Sequence, residues 1–83
     1  MFLQTIKAIR TPQELAEFIR SLKNNYVDSP QSWENADLAT YLDAIAAWVK
    51  DSDGFFENND LPRPNSEVWQ VVAMVLYAAS IYE

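Results

Sequence analysis

Residues 36–50 read ADLATYLDAIAAWVK, and this stretch decides the fold class. Its large apolar side chains recur at i, i+3, i+4, i+7, i+10 and i+11, which is the spacing of one face of an α-helix. They are Leu38, Tyr41, Leu42, Ile45, Trp48 and Val49. Asp37 in the first turn and Lys50 at the end suit the helix dipole, and Asn35 is suited to cap the helix. The pattern predicts a helix over about 36–50.

A second helix is predicted before this stretch, over about residues 12–24. Residues 11–14 (TPQE) combine a threonine that can cap a helix, a proline suited to its first position and a glutamate that completes a capping box. Apolar residues then follow at i, i+3, i+4 and i+7, namely Leu15, Phe18, Ile19 and Leu22. The amphipathic pattern ends near Asn24-Asn25.

A third helix is predicted over about 66–82, after a cap at Asn65 or Ser66. Between Val68 and Ile81 only Gln70 and Ser80 are polar, apart from tyrosine hydroxyls. Because a helix that is apolar on every side is normally contacted on every side, we expect this helix to be central in the fold.

The remaining segments are predicted to be connections. Residues 1–10 suit either a helix or an extended N-terminal arm. Residues 26–35 form a connection in which Trp33 folds back over the helix ends. Residues 51–65 contain Asp-Gly, Asn-Asn and two prolines, so they predict a long loop, in which Gly54 marks a position of positive φ.

Together these segments predict one compact all-α domain over residues 1–83, and its composition excludes several kinds of chemistry. An apolar content of 49% is enough for a packed core. The chain has no cysteine and no histidine, so disulfides, thiolate metal sites and Ser-His-Asp or Cys-His catalysis are excluded. We therefore expect a protein that is not an enzyme and uses no cofactor.

The hydrophobic pattern also bears on localisation. The first residues lack a basic stretch followed by an apolar one, so they do not predict a secretory signal. The longest apolar run, Val71–Ala79, has nine residues, whereas a membrane span needs about 20. We expect a cytoplasmic protein without a membrane partner.

The net charge of −6 is unevenly spread. Residues 1–23 carry four bases and two acids, and residues 24–83 carry two bases and ten acids, so the net charges are +2 and −8. This acidity disfavours nucleic acids and anionic lipids, and it favours a basic protein partner. The simpler alternative is that the charge only keeps the domain soluble.

A partner surface is predicted around the one tryptophan that lies in a connection rather than on a helix. Aromatic side chains at interfaces contribute much of the affinity, and acids around them speed association with a basic partner. The predicted partner-binding residues are Trp33, Glu34, Asp37, Asp51, Asp53, Glu57 and Asp60. The other aromatic residues on helical faces are assigned to the core.

The acids of the loop also raise the alternative of a cation site. Asp51, Asp53, Glu57 and Asp60 surround Gly54 in a segment between two helices. Aligning Gly54 with the glycine of a calcium-binding loop puts Val49 at the first ligand position and leaves the last without its glutamate. Only a weak, irregular cation site remains as an alternative.

The chain resembles a family of short uncharacterised bacterial proteins, grouped as a domain of unknown function. The resemblance covers about residues 11–83 and rests on residues 33–42 (WEN-x-x-L-x-x-YL), 46–48 (AAW), 51–56 (D-x-DGFF), Trp69 and residues 79–83 (A-x-x-YE). It implies a compact helical domain of bacterial origin, and it gives no catalytic residues to carry over to this chain. In charge and size alone, the chain is also similar to barstar-type ribonuclease inhibitors.

These observations lead to a non-catalytic binding module as the predicted function. Its acidic surface would engage a basic partner, and an immunity protein or inhibitor of a toxin or nuclease is the concrete form. The alternative is an accessory or structural domain that forms a homodimer through apolar surface left over from the core.

Overall fold

The structure, a computed structural model, describes residues 2–82. It contains five α-helices and a short 3₁₀ helix, and no strand occurs in this range, which confirms the predicted all-α class. In chain order the elements are α1 (Phe2–Lys7), α2 (Pro12–Asp28), the 3₁₀ helix (Pro30–Ser32), α3 (Leu38–Lys50), α4 (Asp53–Asn58) and α5 (Ser66–Ala79).

Helix α2 begins as the sequence predicts and ends later. The Glu14 amide donates to Thr11 Oγ1 over 3.1 Å, and the Thr11 amide donates to Glu14 Oε1 over 3.1 Å, so the capping box is confirmed. The helix continues four residues past the predicted end at residue 24. The added turn carries Tyr26, whose ring contacts Trp33. This contact offsets the low helix propensity of Asn24 and Asn25.

Helix α3 begins two residues later than predicted, and its cap is a different residue. Asp37 Oδ1 accepts a hydrogen bond of 2.8 Å from the Thr40 amide, and the Tyr41 amide donates to the Asp37 carbonyl. The prediction that Asn35 caps this helix is therefore wrong. Asp37 can cap it because its carboxylate reaches the amide three residues on, as an N-cap requires.

The predicted loop over residues 51–65 contains helix α4, so that part of the prediction is wrong. Ser52 has helical dihedrals (φ −73°, ψ −15°), and its hydroxyl donates to the Val49 carbonyl over 2.8 Å. Gly54 lies inside α4 without positive φ, which contradicts the expectation for this glycine. The residue with positive φ in this segment is Asp60, at 54°. Aspartate is one of the few residues besides glycine that tolerate this conformation.

Helix α5 has the predicted cap and an earlier end. The Val68 amide donates to Asn65 Oδ1 over 3.0 Å, which confirms Asn65 as the cap. The helix ends at Ala79, three residues before the predicted end, where the Ser80 hydroxyl donates to the Tyr77 carbonyl. This hydroxyl satisfies one of the carbonyls that a helix end leaves without a partner.

The expectation that α5 is central is wrong. All its residues are exposed except Trp69, which is half-buried, and Met74 and Tyr77 are 64% and 69% exposed. The predicted packed core is also absent from the described part of the chain, where Ser52 is buried and no apolar side chain is. Apolar periodicity predicted which faces are suited to burial, but burial requires another element against each face.

The chain divides into two units, one ending at Ile45 and the other beginning at Ala46. In the first, α2 contacts the 3₁₀ helix that follows it. In the second, Trp48 makes edge-on ring contacts with Phe55 and Phe56, at centroid distances of 5.2 and 6.1 Å. Within residues 2–82, no helix is long and apolar enough to cross a membrane.

Candidate functional site

Trp33 is held against the end of α2 by its indole nitrogen. Its Nε1–H donates to Asn25 Oδ1 over 2.7 Å, and its backbone amide donates to the Pro30 carbonyl over 3.1 Å. The 3₁₀ helix reverses the chain after α2, so that Trp33 returns to the last turns of that helix. The prediction that Trp33 folds back over a helix end is thus confirmed.

Two tyrosine rings stand next to Trp33 and complete an aromatic cluster. The Tyr26 ring meets Trp33 edge-on at a centroid distance of 5.4 Å, and the Tyr41 ring is tilted by 43° at 5.9 Å. Both centroid distances lie within the range of interacting aromatic pairs. The Tyr26 hydroxyl donates to the Ala36 carbonyl over 2.9 Å, so this ring, like Trp33, is held in place by a hydrogen bond of its own.

A cavity of about 250 Å³ opens beside this cluster. Its walls are mostly apolar, and its one charged lining residue is Asp37, at the start of α3. Because Asp37 Oδ1 is engaged by the Thr40 amide, the cap leaves the second carboxylate oxygen for another donor. The lining residues are Tyr26, Trp33, Asn35, Ala36, Asp37, Leu38 and Tyr41.

A second cavity, of about 240 Å³, is lined by the same three rings and differs in charge. Its other lining residues are Ile19, Leu22 and Lys23, so a lysine is the charged group here. The aromatic cluster therefore contributes ring surface to two cavities, one with an acid and one with a base. Coulomb's law therefore favours a cation in the first cavity over a cation in the second.

The chain around the cluster is acidic. Residues 28–43 carry four acids and no base, namely Asp28, Glu34, Asp37 and Asp43. All four are exposed, and only Asp37 lines the cavity. The structure thus brings together two of the predicted partner-binding residues, Trp33 and Asp37, and leaves Glu34 beside them on the surface.

The four acids predicted in the 51–65 segment lie in the second unit and do not line this cavity. Asp53 forms an exposed ion pair with Arg63 (Oδ1 to Nε, 3.6 Å), and Asp51, Glu57 and Asp60 are exposed. Across residues 2–82, no group of three or more acids is close enough together to hold a metal ion. The arrangement of these acids therefore gives no support to a cation site.

The sequence interpretation missed Tyr26 and Tyr41 as site residues. It placed Tyr41 on the core face of α3 and Tyr26 in a connection, but both rings line the cavity. Their spacing from Trp33, seven residues before and eight after, gave no helical signal because the intervening chain is not one helix. The capping position of Asp37 and the turn after Asp28 are what bring the three rings together.

Comparison with known proteins gives a family and no activity. Residues 11–83 match the model of a family described as a family of unknown function (DUF7660). This match confirms the resemblance to an uncharacterised domain family that the sequence predicted. No curated protein and no solved structure matches the chain.

Proposed function

The chain belongs to the family of unknown function DUF7660, and we propose that it is a non-catalytic protein-binding module that engages a basic partner. The observation that supports this proposal is the cavity beside Tyr26, Trp33 and Tyr41, which Asp37 also lines. It combines hydrogen-bonded ring surface with a negative charge, and interface hot spots are enriched in tryptophan and tyrosine.

The two features have different roles in binding. The acids around the cluster attract a basic partner over a distance and raise the association rate, an effect that salt screens. The ring surface is covered only in the complex, so it governs the dissociation rate. Trp33 and Tyr26 already have their polar atoms bonded within the chain, and a partner therefore finds them ordered in advance.

As the concrete form of this function, we propose an immunity or inhibitor protein that acts in the bacterial cytoplasm. Proteins of this kind bind a basic toxin or nuclease, whose active site is charged to attract nucleic acid. An acidic chain with a net charge of −6 and an exposed aromatic cluster suits such a target. The acids of the second unit, including Asp51 and Glu57, add to the long-range attraction.

A capture experiment followed by titration tests this function. The tagged full chain is incubated with host lysate at about 50 mM and about 300 mM salt, which differ in how strongly they screen exposed charge. A basic protein recovered at low salt and lost at high salt is then purified and titrated against the chain. We expect the Kd to rise at least about tenfold between the two conditions, as in other charge-steered complexes.

Variants of the chain make the same titration specific to the proposed surface. Trp33→Ala should raise the Kd by about tenfold or more, whereas Glu34→Gln or Glu57→Gln should raise it by about threefold or less. Circular dichroism must show that each variant keeps the wild-type helix content. A partner that binds equally well at both salt concentrations, or that is unaffected by Trp33→Ala, contradicts the proposal.

A second candidate function, self-association, is favoured by the surface of α5. Val71, Met74, Tyr77 and Ile81 are spaced along one side of the helix and its C-terminal extension, and each is more than half exposed. We call these four residues the α5 stripe. Contiguous apolar surface of this kind is typical of protein interfaces, and a second copy of the chain carries the same surface.

A further inference from the structure

We propose that the Trp33 cavity is a receptor for one arginine side chain of the basic partner. The guanidinium packs against the aromatic surface that Tyr26, Trp33 and Tyr41 contribute, and its N–H groups donate to Asp37. This inference rests on the proposed function and deepens it, because it assigns the chemistry of the group that the cavity recognises.

The size of the cavity suits one side chain of a partner. Sites for drug-sized ligands and cofactors commonly occupy about 300–1,000 Å³, and this cavity has about 250 Å³. It is also open to the surface, since Trp33 and Asn35 are half-buried and Asp37 is exposed. A group that enters from a partner's surface suits these dimensions.

The composition of the cavity selects a cation. Three aromatic rings line the cavity, and the electron-rich face of an aromatic ring attracts a positive charge placed within about 6 Å of the ring centre. The one charged lining residue is an acid, and none of the lining residues is basic. The second cavity, on the same three rings, contains Lys23 and is therefore the wrong place for an external cation.

The shape and hydration of the two basic side chains favour arginine over lysine in this cavity. The Trp33 indole and the Tyr26 hydroxyl already donate to Asn25 and to the Ala36 carbonyl, and the second carboxylate oxygen of Asp37 can accept from a donor on the incoming group. A guanidinium is planar, stacks on aromatic faces and presents several N–H donors at its edge. An ammonium group is compact and strongly hydrated, so it loses more on entering apolar walls.

Titration of the full chain with short peptides tests this assignment. The probes are acetyl-Gly-Arg-Gly-amide and the analogues in which citrulline or lysine replaces arginine, and the readout is the NMR shift of the Trp33 indole N–H at low salt. We expect a saturable shift with the arginine peptide, with a Kd of order 1–10 mM, as suits a single side chain. Citrulline has the same shape without the charge and should give no saturable shift, and lysine should bind more weakly.

Variants connect the shift to the cavity. Asparagine also caps helices, so Asp37→Asn keeps α3 intact while removing the charge, and it should raise the Kd by about threefold or more. Tyr41→Leu removes one ring and should raise the Kd by about threefold or more. Asp43→Asn, at an exposed acid of the same helix that does not line the cavity, is the matched control and should leave the Kd unchanged.

The outcomes distinguish this inference from the proposed function. If the citrulline or lysine peptide shifts Trp33 as strongly as the arginine peptide, or if Asp43→Asn acts like Asp37→Asn, the arginine receptor is wrong. It is also wrong if no peptide gives a saturable shift. In each of these cases, the proposed binding module is still supported if a basic partner binds in a salt-sensitive way and loses affinity on Trp33→Ala.

Discussion

At the scale of single residues, the arrangement of the site depends on Asn25. This side chain lies in the last turns of α2, where asparagine is a poor helix former, and its Oδ1 accepts the bond from the Trp33 indole. Without that acceptor, the indole N–H must turn to water, and the ring loses the contact that sets its angle to Tyr26. One exposed amide therefore orders an aromatic ring eight residues away in sequence.

Adjacent asparagines allow this role to be measured. Asn25→Ala and Asn24→Ala exchange the same residue type at neighbouring exposed positions of α2, so their effects on helix propensity are similar. We expect Asn25→Ala to be less stable than Asn24→Ala by about 0.5–1 kcal/mol, because it alone removes a hydrogen bond. Urea unfolding followed by tryptophan fluorescence measures both, and equal stabilities would show that the bond contributes nothing.

At the scale of elements, α4 shows that residues typical of loops can form a helix. Its segment contains Asp-Gly and Asn-Asn pairs, yet the chain continues from α3 through Ser52 into a further helical turn. The contacts of Phe55 and Phe56 with Trp48 favour this conformation, since they place both rings against α3. Tertiary packing has here outweighed local propensity.

Two substitutions in this segment should have opposite effects. A Cβ added at Gly54 meets no atom within 4 Å, and its φ is not positive, so Gly54→Ala should raise the free energy of unfolding by about 0.5–1 kcal/mol. Asp60→Ala should lower it by about 0.5 kcal/mol, because alanine tolerates the φ of 54° less well than aspartate does. Urea denaturation measures both free energies. If Gly54→Ala lowers the free energy of unfolding, the result supports the positive φ that the sequence predicted at Gly54 and contradicts its position inside α4.

At the scale of the whole molecule, charge and apolar surface act in opposite directions. The net charge of −6 opposes the approach of two copies of the chain, and in the proposed self-association the exposed α5 stripe favours it. Salt weakens the first effect and leaves the second in place. Self-association through α5 should therefore strengthen with salt, whereas binding of a basic partner should weaken.

Sedimentation velocity distinguishes these two behaviours. Between about 5 and about 500 µM, we expect the wild-type chain to shift from monomer to dimer, and to shift at lower concentration when salt is raised. Met74→Glu places a charge at the centre of the α5 stripe and should keep the chain monomeric. Asn24→Glu adds the same charge to the exposed surface of α2 and is the control. A wild-type chain that stays monomeric throughout this range would remove self-association as a function.

The sequence alone determined those features that depend on neighbours within about four residues. The capping box at Thr11, the cap at Asn65 and the apolar repeat of α3 all predicted helices that the structure contains, because caps and helical faces arise from contacts at i+3 and i+4. The absence of histidine and cysteine likewise restricts the chemistry open to this chain, because no fold can supply a side chain that the sequence lacks.

The tertiary structure alone decided which side chains meet and which stay exposed. Tyr26, Trp33 and Tyr41 form one cluster because the 3₁₀ helix and the Asp37 cap set the path of the chain between α2 and α3. The sequence could not predict the exposure of α5 for a related reason. Apolar periodicity states that a face is suited to burial, but only the positions of other elements determine whether anything covers it.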